Sequence, residues 1–351
     1  MTTLQVAGTS IVMMLVLIGL RVPIGVAMGG VAFLGLWYLR NFNVALSVLR
    51  DTPFVFAANW DLSAIPMFLL MGAIASNSGI GAALFRAAYA WFGSLPGGLA
   101  VATNWACAGF GAASGSSIAA AAVMARLAVP EMLKNKYDKA LATGVCASGG
   151  TLDALIPPSI LFVVYGVFAE VSIAKLLLAG VIPGLLTAGV YMIMIVVRCW
   201  LNPELGPPVK FASDDEKWKE RWDSLREIWP ILVLIVAVMG GLYWGVVSPT
   251  ESGAAGALIA TFIGIAQRKL SLAGFIDSFK DAIGTTAQLF FIGIGAVIYT
   301  KFLALSGSST LFTELVGTWA LDPLLLVIAV SLIYLVLGMF LDPLGMILLT
   351  I

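Results

Sequence analysis

The sequence predicts an all-α polytopic membrane protein built from two inverted repeats, each holding a re-entrant hairpin and a broken helix. Three observations carry that expectation. The 351 residues are 60% hydrophobic and 11% charged, with a mean hydropathy of +1.02, whereas soluble domains are roughly 25% charged. Helix breakers recur at a near-constant offset: Pro23 with Pro249, Gly79 with Gly307, Pro96 with Pro323 and Gly109 with Gly338 are 226 to 229 positions apart. Several apolar stretches are also interrupted midway by Gly, Ser and Pro. Backbone groups freed at such a break find no water in hydrocarbon, so they must be covered by protein or line a cavity.

The same composition excludes several functions. Nineteen basic and nineteen acidic residues leave no net charge, which argues against a nucleic-acid partner. Zinc-finger, Rossmann and Walker A patterns are absent, so nothing in the chain reads as ATP-hydrolysing. Histidine is absent, which removes the commonest general base, metal ligand and proton shuttle. Cys107, Cys146 and Cys199 stand singly in apolar runs and read as small buried residues rather than redox or transition-metal ligands. The first basic residue is Arg21, so the N-terminus does not read as a cleavable signal peptide.

In chain order, residues 4–20 and 22–39 are two apolar stretches parted at Arg21-Val22-Pro23. Residues 40–61 are mixed and read as interfacial, 62–80 as a span, and 81–94 as an amphipathic interfacial helix. Residues 97–130 are too short for two full spans and a turn, which need about 40 residues. Their centre, Gly109 to Ser117, is Gly- and Ser-rich. The stretch is therefore expected to be a re-entrant hairpin whose two short helices meet in mid-membrane. A polar loop follows at 131–139. A broken helix at about 140–170 is interrupted by Ser148-Gly-Gly-Thr151 and Pro157-Pro158, and 172–200 is one long span. The segment 201–228 reads as a cytoplasmic connecting loop, because Lys210, Lys217, Lys219, Arg221 and Arg226 cluster in it and Arg198 stands just before it. The second half reads as spans 229–247 and 253–266, an amphipathic piece at 270–282, a span 284–305, and an apolar run from 322 that breaks at 338–345.

Five crossings separate the two breaks, an odd number, so the second hairpin enters from the opposite face and the N-terminus is expected to be periplasmic. The domains are thus 1–200 (first repeat), 201–228 (connecting loop) and 229–351 (second repeat). The second repeat stops 13 residues past Gly338, whereas the first continues about 90 past Gly109. The sequence is therefore expected to be a fragment, C-terminally incomplete in its second repeat.

Re-entrant tips and broken helices place backbone carbonyls and small hydroxyls at the membrane midplane, where they can replace the water shell of Na⁺. The tip Ser114-Gly-Ser-Ser117 is expected to meet the break Gly149 to Pro158, and an ion site is favoured there over mere tight helix packing. Asp153 lies within that break. Either it faces a site or cavity, or the break lies near the interface and the carboxylate is hydrated. Glu251 and Asp342 stand beside Pro249 and Pro343. Capping of a short helix is preferred for both, and pairing with a cation is the alternative. Arg126 reads as a snorkelling residue.

The segments Ala108–Ser117, Ala140–Gly144, Leu155–Ile160, Ser248–Ser252 and Gly338–Met346, in this order, resemble the large membrane subunit of tripartite ATP-independent periplasmic (TRAP) transporters, the DctM-type permease. The resemblance covers essentially the whole chain. It implies an elevator-type ion-transporter fold in a bacterial inner membrane. The implied function is sodium-coupled import of small organic acids: a C4-dicarboxylate, sugar acid or keto acid. It implies a small DctQ-type membrane subunit, a DctP-type periplasmic binding protein, Na⁺ as coupling ion and no cofactor. One Na⁺ site is implied at Ser114, Gly115, Ser116, Ser117, Gly149, Gly150, Thr151 and Pro157. A second, incomplete site is implied at Gly338, Asp342, Pro343 and Gly345. Ser116, Thr151 and Asp153 are the candidates near the substrate. The family commonly has Gly where this chain has Asp153. The rival reading is a stand-alone sodium/carboxylate symporter without a binding protein. A channel lacks its ring of charged residues, and an enzyme lacks a nucleophile–base pair.

Overall fold

A computed structural model describes residues 3–115, 117–208, 214–308, 323–339 and 343–350. Among these residues all regular structure is helical. The helices are α1 (Thr3–Gly19), α2 (Ile24–Leu39), α3 (Phe42–Ala57), α4 (Ala64–Asn77), α5 (Ile80–Phe92), α6 (Gly98–Ser114), α7 (Ser117–Lys134), α8 (Lys139–Gly150), α9 (Ile160–Phe168), α10 (Ile173–Leu201), α11 (Asp214–Tyr243), α12 (Pro249–Ala266) and α13 (Leu272–Ser306). Two further helices run over Pro323–Leu337 and Pro343–Thr350, and short 3-10 turns occupy Trp60–Ser63 and Thr151–Ala154. The helices α10 (Ile173–Leu201), Trp218–Tyr243 within α11, and α13 (Leu272–Ser306) are long and apolar enough to cross a bilayer.

The starts and stops follow local chemistry. Asn41 caps α3 by accepting the Val44 N–H at 2.9 Å, and Asp138 caps α8 through the Leu141 N–H at 3.0 Å. Ser248 and Glu251 form a reciprocal capping box on α12 with Pro249 in its first turn. Glu251 is therefore a capping residue. Gly79 (φ +70°) follows the end of α4 and Gly307 (φ +75°) follows the end of α13, both in the left-handed conformation that glycine tolerates.

Several boundaries differ from the sequence expectation. Residues 40–61 are largely the capped helix α3, and α7 runs on through Glu131–Lys134, because Glu, Met, Leu and Lys are good helix formers. The connecting loop 201–228 is shorter than read. Helix α11 begins at Asp214, so its charged start is continuous with the span that follows. The expected division near residue 283 is also absent, since α13 is one helix of 35 residues. Gly284 costs about 1 kcal/mol there relative to Ala but forces no turn.

The chain divides into two compact units, residues 1–60 with 286–351, and residues 61–285. This grouping cuts across the two halves read from the sequence, and α13 gives its first half to one unit and its second to the other. In the terminal unit α2 and α13 approach closely. A β-carbon at Gly25 would lie 2.6 Å from the Phe291 carbonyl oxygen, and one at Gly295 would lie 2.4 Å from that of Gly25. Small residues at such crossings let backbones touch without a hydrophobic driving force. Ser10 and Tyr299 hydroxyls meet at 3.0 Å in the same unit.

In the larger unit the core is made by the hairpin region itself. Leu99, Val101, Cys107 and Phe110 of α6 pack with Met124 and Met132 of α7, Cys146 of α8, and Ile195 and Cys199 of α10. Fifteen of the seventeen residues of α6 are buried. Protein therefore encloses this helix on nearly all sides. Helix α10 turns Leu177, Gly180, Gly184 and Ala188 inward and exposes Ile182, Leu186, Val190 and Ile193 on the opposite face. A contiguous exposed apolar stripe on such a helix suits contact with lipid. Gly180 and Gly184 receive the broken segment: β-carbons there would lie 2.9 and 3.1 Å from the Leu155 carbonyl oxygen.

Candidate functional site: a hairpin tip against a broken helix

The centre of the larger unit is where α6 and α7 turn and α8 stops. Helix α6 ends at Ser114, and Gly115 reverses the chain with φ +61° while its N–H still bonds the Gly111 carbonyl at 2.9 Å. A side chain at Gly115 would also crowd Ile160, so only glycine meets both demands there. Helix α8 ends at Gly150. Its last turn tightens into the 3-10 segment Thr151–Ala154, the chain then bends through a cis Pro157–Pro158 peptide, and α9 starts after Ser159. Ser159 steadies the gap by donating its hydroxyl to the Ala154 carbonyl at 3.0 Å.

The two breaks are in contact. A β-carbon on Gly150 would lie 3.0 Å from the Ser117 carbonyl oxygen, and one on Gly115 would lie 3.6 Å from that of Pro158. Ser117 donates its hydroxyl to Asp153 Oδ2 at 3.4 Å. Gly149 is buried against Cys107, whose Sγ would be 2.8 Å from a β-carbon at 149. Contacts thus join Ser117 to Gly150 and Asp153, and Gly115 to Pro158 and Ile160, whereas Gly149 packs on Cys107 and the Ser114 carbonyl on Gly72. Thr151 is exposed and spends its hydroxyl hydrogen on the Ser148 carbonyl at 2.6 Å. Ser116 lies outside the described residues.

Asp153 is 2% exposed, so it is not the hydrated interfacial carboxylate that was one of the two readings. Its Oδ1 is buried without a hydrogen-bond partner, and among the described residues no lysine or arginine pairs with it. Gly111 makes room for it, since a β-carbon there would lie 3.1 Å from Oδ1. The neighbours are the C-terminal ends of α6 and α8 and the N-terminal end of α7 at Ser117. Helix C-termini carry carbonyls without intrahelical donors. A buried carboxylate beside such carbonyls gathers oxygen donors that suit a hard cation.

The site's supports were not all legible in the sequence. Asn104, 1% exposed in α6, donates its side-chain amide to the Ala188 carbonyl of α10 at 2.9 Å. Gly72 of α4 lies directly against the Ser114 carbonyl. A polar residue in an otherwise apolar arm is the one signal that marked Asn104.

Of the second expected site, Gly338 follows the helix that ends at Leu337, and Pro343 opens the helix that holds the buried Gly345. Asp342 lies outside the described residues.

Residues 11–351 match the family described as Tripartite ATP-independent periplasmic transporter, DctM component. The C4-dicarboxylate TRAP transporter large permease protein DctM of Vibrio cholerae is 32% identical over 95% of this chain and 76% of its own length. The sialic acid TRAP transporter large permease protein SiaM of the same species is 32% identical over 84% and 67%. The isethionate TRAP transporter permease protein DctMQ of Oleidesulfovibrio alaskensis is 29% identical over 93% of this chain, which spans half of that protein's length. The chain belongs to the DctM family of TRAP transporter large permeases.

Proposed function

We propose that this chain is the large membrane subunit of a sodium-coupled, binding-protein-dependent importer of small organic acids in a bacterial inner membrane. The single observation that carries the proposal is the contact between the tip at Gly115 and the break at Thr151–Ser159 around the buried Asp153. Oxygen donors gathered there suit Na⁺, and Ser114–Ser117 with Gly149–Pro157 form the first ion site. The second is assigned to Gly338, Asp342, Pro343 and Gly345. Substrate is assigned to the neighbourhood of Ser116, Thr151 and Asp153.

The partners would be a small DctQ-type subunit and a DctP-type periplasmic binding protein. Relatives named for C4-dicarboxylate, sialic acid, isethionate and 2,3-diketo-L-gulonate support an acid as substrate class. The two halves would be inverted repeats that work by an elevator motion, with the N-terminus periplasmic and the 201–228 segment cytoplasmic. Support for the repeat comes from paired landmarks with one local role: Gly79 and Gly307 both reverse the chain, and Pro23 and Pro249 both stand at helix starts. Each net positive charge carried inward through 100 mV releases about 2.3 kcal/mol, enough for roughly 50-fold accumulation.

The test is uptake of labelled C4-dicarboxylate into proteoliposomes holding the permease and its small subunit under an inward Na⁺ gradient. Uptake is expected to need both Na⁺ and the binding protein. Uptake driven by Na⁺ alone would replace this reading with a stand-alone symporter, and uptake indifferent to Na⁺ would overturn the coupling.

A further inference from the structure

We propose that Asp153 is a direct, anionic ligand of the coupling cation at the first site, so that the site binds Na⁺ through a carboxylate as well as through hydroxyl and carbonyl oxygens. The proposal rests on the sodium-coupled reading above and goes beyond it by assigning a charge-compensating residue.

Four observations converge. Asp153 is almost fully buried, yet Oδ1 has no hydrogen-bond partner. Buried carboxylate oxygens are normally satisfied, and one left bare calls for a missing partner. No basic side chain supplies it among the described residues. The other oxygen, Oδ2, receives the Ser117 hydroxyl in a long contact of 3.4 Å, which places the carboxylate beside the hairpin tip and leaves Oδ1 without a partner. Finally, the close approach of Asp153 to α6 requires glycine: a β-carbon on Gly111 would lie 2.8 Å from the Asp153 Cα and 3.1 Å from Oδ1.

The carboxylate itself selects the partner's sign, since a bare anionic oxygen attracts a cation and repels an anion. Helices α6 and α8 end here, at Ser114 and Gly150, while α7 begins at Ser117, so carbonyl ends that favour a cation stand beside an N-terminal end that favours the carboxylate. An ammonium group could donate to the same oxygens, whereas a small spherical cation is coordinated by several at once, the Ser117 hydroxyl and nearby carbonyls included. Na⁺ is the cation that the proposed coupling supplies. Placing a fixed negative charge in the site lowers the cost of holding that ion away from water.

The experiment is equilibrium Na⁺ binding to the permease with its small subunit. It reads Na⁺-dependent rise in apparent melting temperature at constant ionic strength with choline as the replacing ion, and no substrate present. Wild type is compared with D153N, which keeps shape and removes charge, and with D153G, which removes the side chain in case the amide disturbs folding. Both variants are expected to raise half-saturating Na⁺ about tenfold or more, the scale seen when even outer-shell partners of a bound metal are lost. An unchanged Na⁺ constant in either folded variant would overturn the proposal while leaving sodium coupling intact. A wild type with no Na⁺ response would overturn the sodium reading itself, and this assignment with it.

Discussion

Gly72 and Ser114 touch backbone to backbone: a β-carbon on Gly72 would lie 1.9 Å from the Ser114 carbonyl oxygen and 2.6 Å from its carbon. No side chain fits between α4 and the end of the hairpin arm, and neither partner is a flexible group that could yield. Gly72→Ala is therefore expected to displace the tip. Overpacking of this kind costs about 1–3 kcal/mol, and it should appear as a lower melting temperature and loss of uptake. Gly144→Ala is the control. Nothing lies within 4 Å of its β-carbon position in α8, and replacing a helical glycine stabilises by about 0.4–1 kcal/mol. Equal behaviour of the two variants would show that the Gly72 contact is not what fixes the tip.

Asn104 ties the same arm to α10 through the Ala188 carbonyl. Interhelical hydrogen bonds in membranes average about 0.6 kcal/mol and reach about 1.7. With Asn104 only 1% exposed, the upper part of that range applies. Asn104→Leu should lower stability by about that much, measured by reversible unfolding in mixed micelles. A Leu variant as stable as wild type would mean that packing, not the hydrogen bond, secures the arm.

The capping box on α12 gives a pH signature outside the apolar stretch of that helix. The Ser248 N–H and hydroxyl both donate to Glu251 Oε2, at 2.7 and 2.8 Å, and hold its carboxyl below the usual 4.5. A depressed folded-state pKa means stability that is present above the unfolded pKa and is lost as pH falls through the folded one. Glu251→Gln should therefore melt below wild type at pH 6, and the gap should close as pH drops below about 4.5. A gap that stays constant through that window would assign the loss to geometry rather than to charge. Ser248→Ala, which removes the cap itself, is expected to cost about 0.5–2 kcal/mol at neutral pH.

How far the molecule could be read from its sequence depended on which features leave a local mark. The hairpin was legible because 97–130 is too short for two spans, and the break because Ser148-Gly-Gly-Thr151 and Pro157-Pro158 cannot continue a helix. That freed backbone is covered by protein could be anticipated, and Gly150 does pack on the Ser117 carbonyl. The start of α11 and the continuity of α13 were not legible: apolarity alone does not distinguish a charged loop from a charged helix end, and Gly284 breaks a helix only if the fold requires it. Partnerships such as Gly72 with Ser114 are long-range and depend on helix crossing geometry. The orientation of Asp153 was open for the same reason, as burial of one carboxylate is decided by neighbours from α6 and α7.

Lys301 and Thr52 provide a last test of how this fold accommodates charge. In the terminal unit Lys301 of α13 donates its ammonium to the Thr52 hydroxyl at 3.0 Å, and Thr52 is only 1% exposed. Among the described residues no carboxylate pairs with this ammonium. Lys301 itself is half-buried. Removing one partner of a buried polar pair leaves the other unsatisfied at about 1–3 kcal/mol, and replacing both by apolar groups can be nearly neutral. Thr52→Val should therefore destabilise towards the lower end of that range, because it removes the acceptor of a partly covered ammonium. The double variant T52V/K301M should recover most of the loss, since methionine fills the stem's volume without a charge. The measurement is a double-mutant cycle on unfolding free energy. A double variant no better than T52V alone would mean that the Thr52 hydroxyl acts through packing and that Lys301 finds its solvation elsewhere.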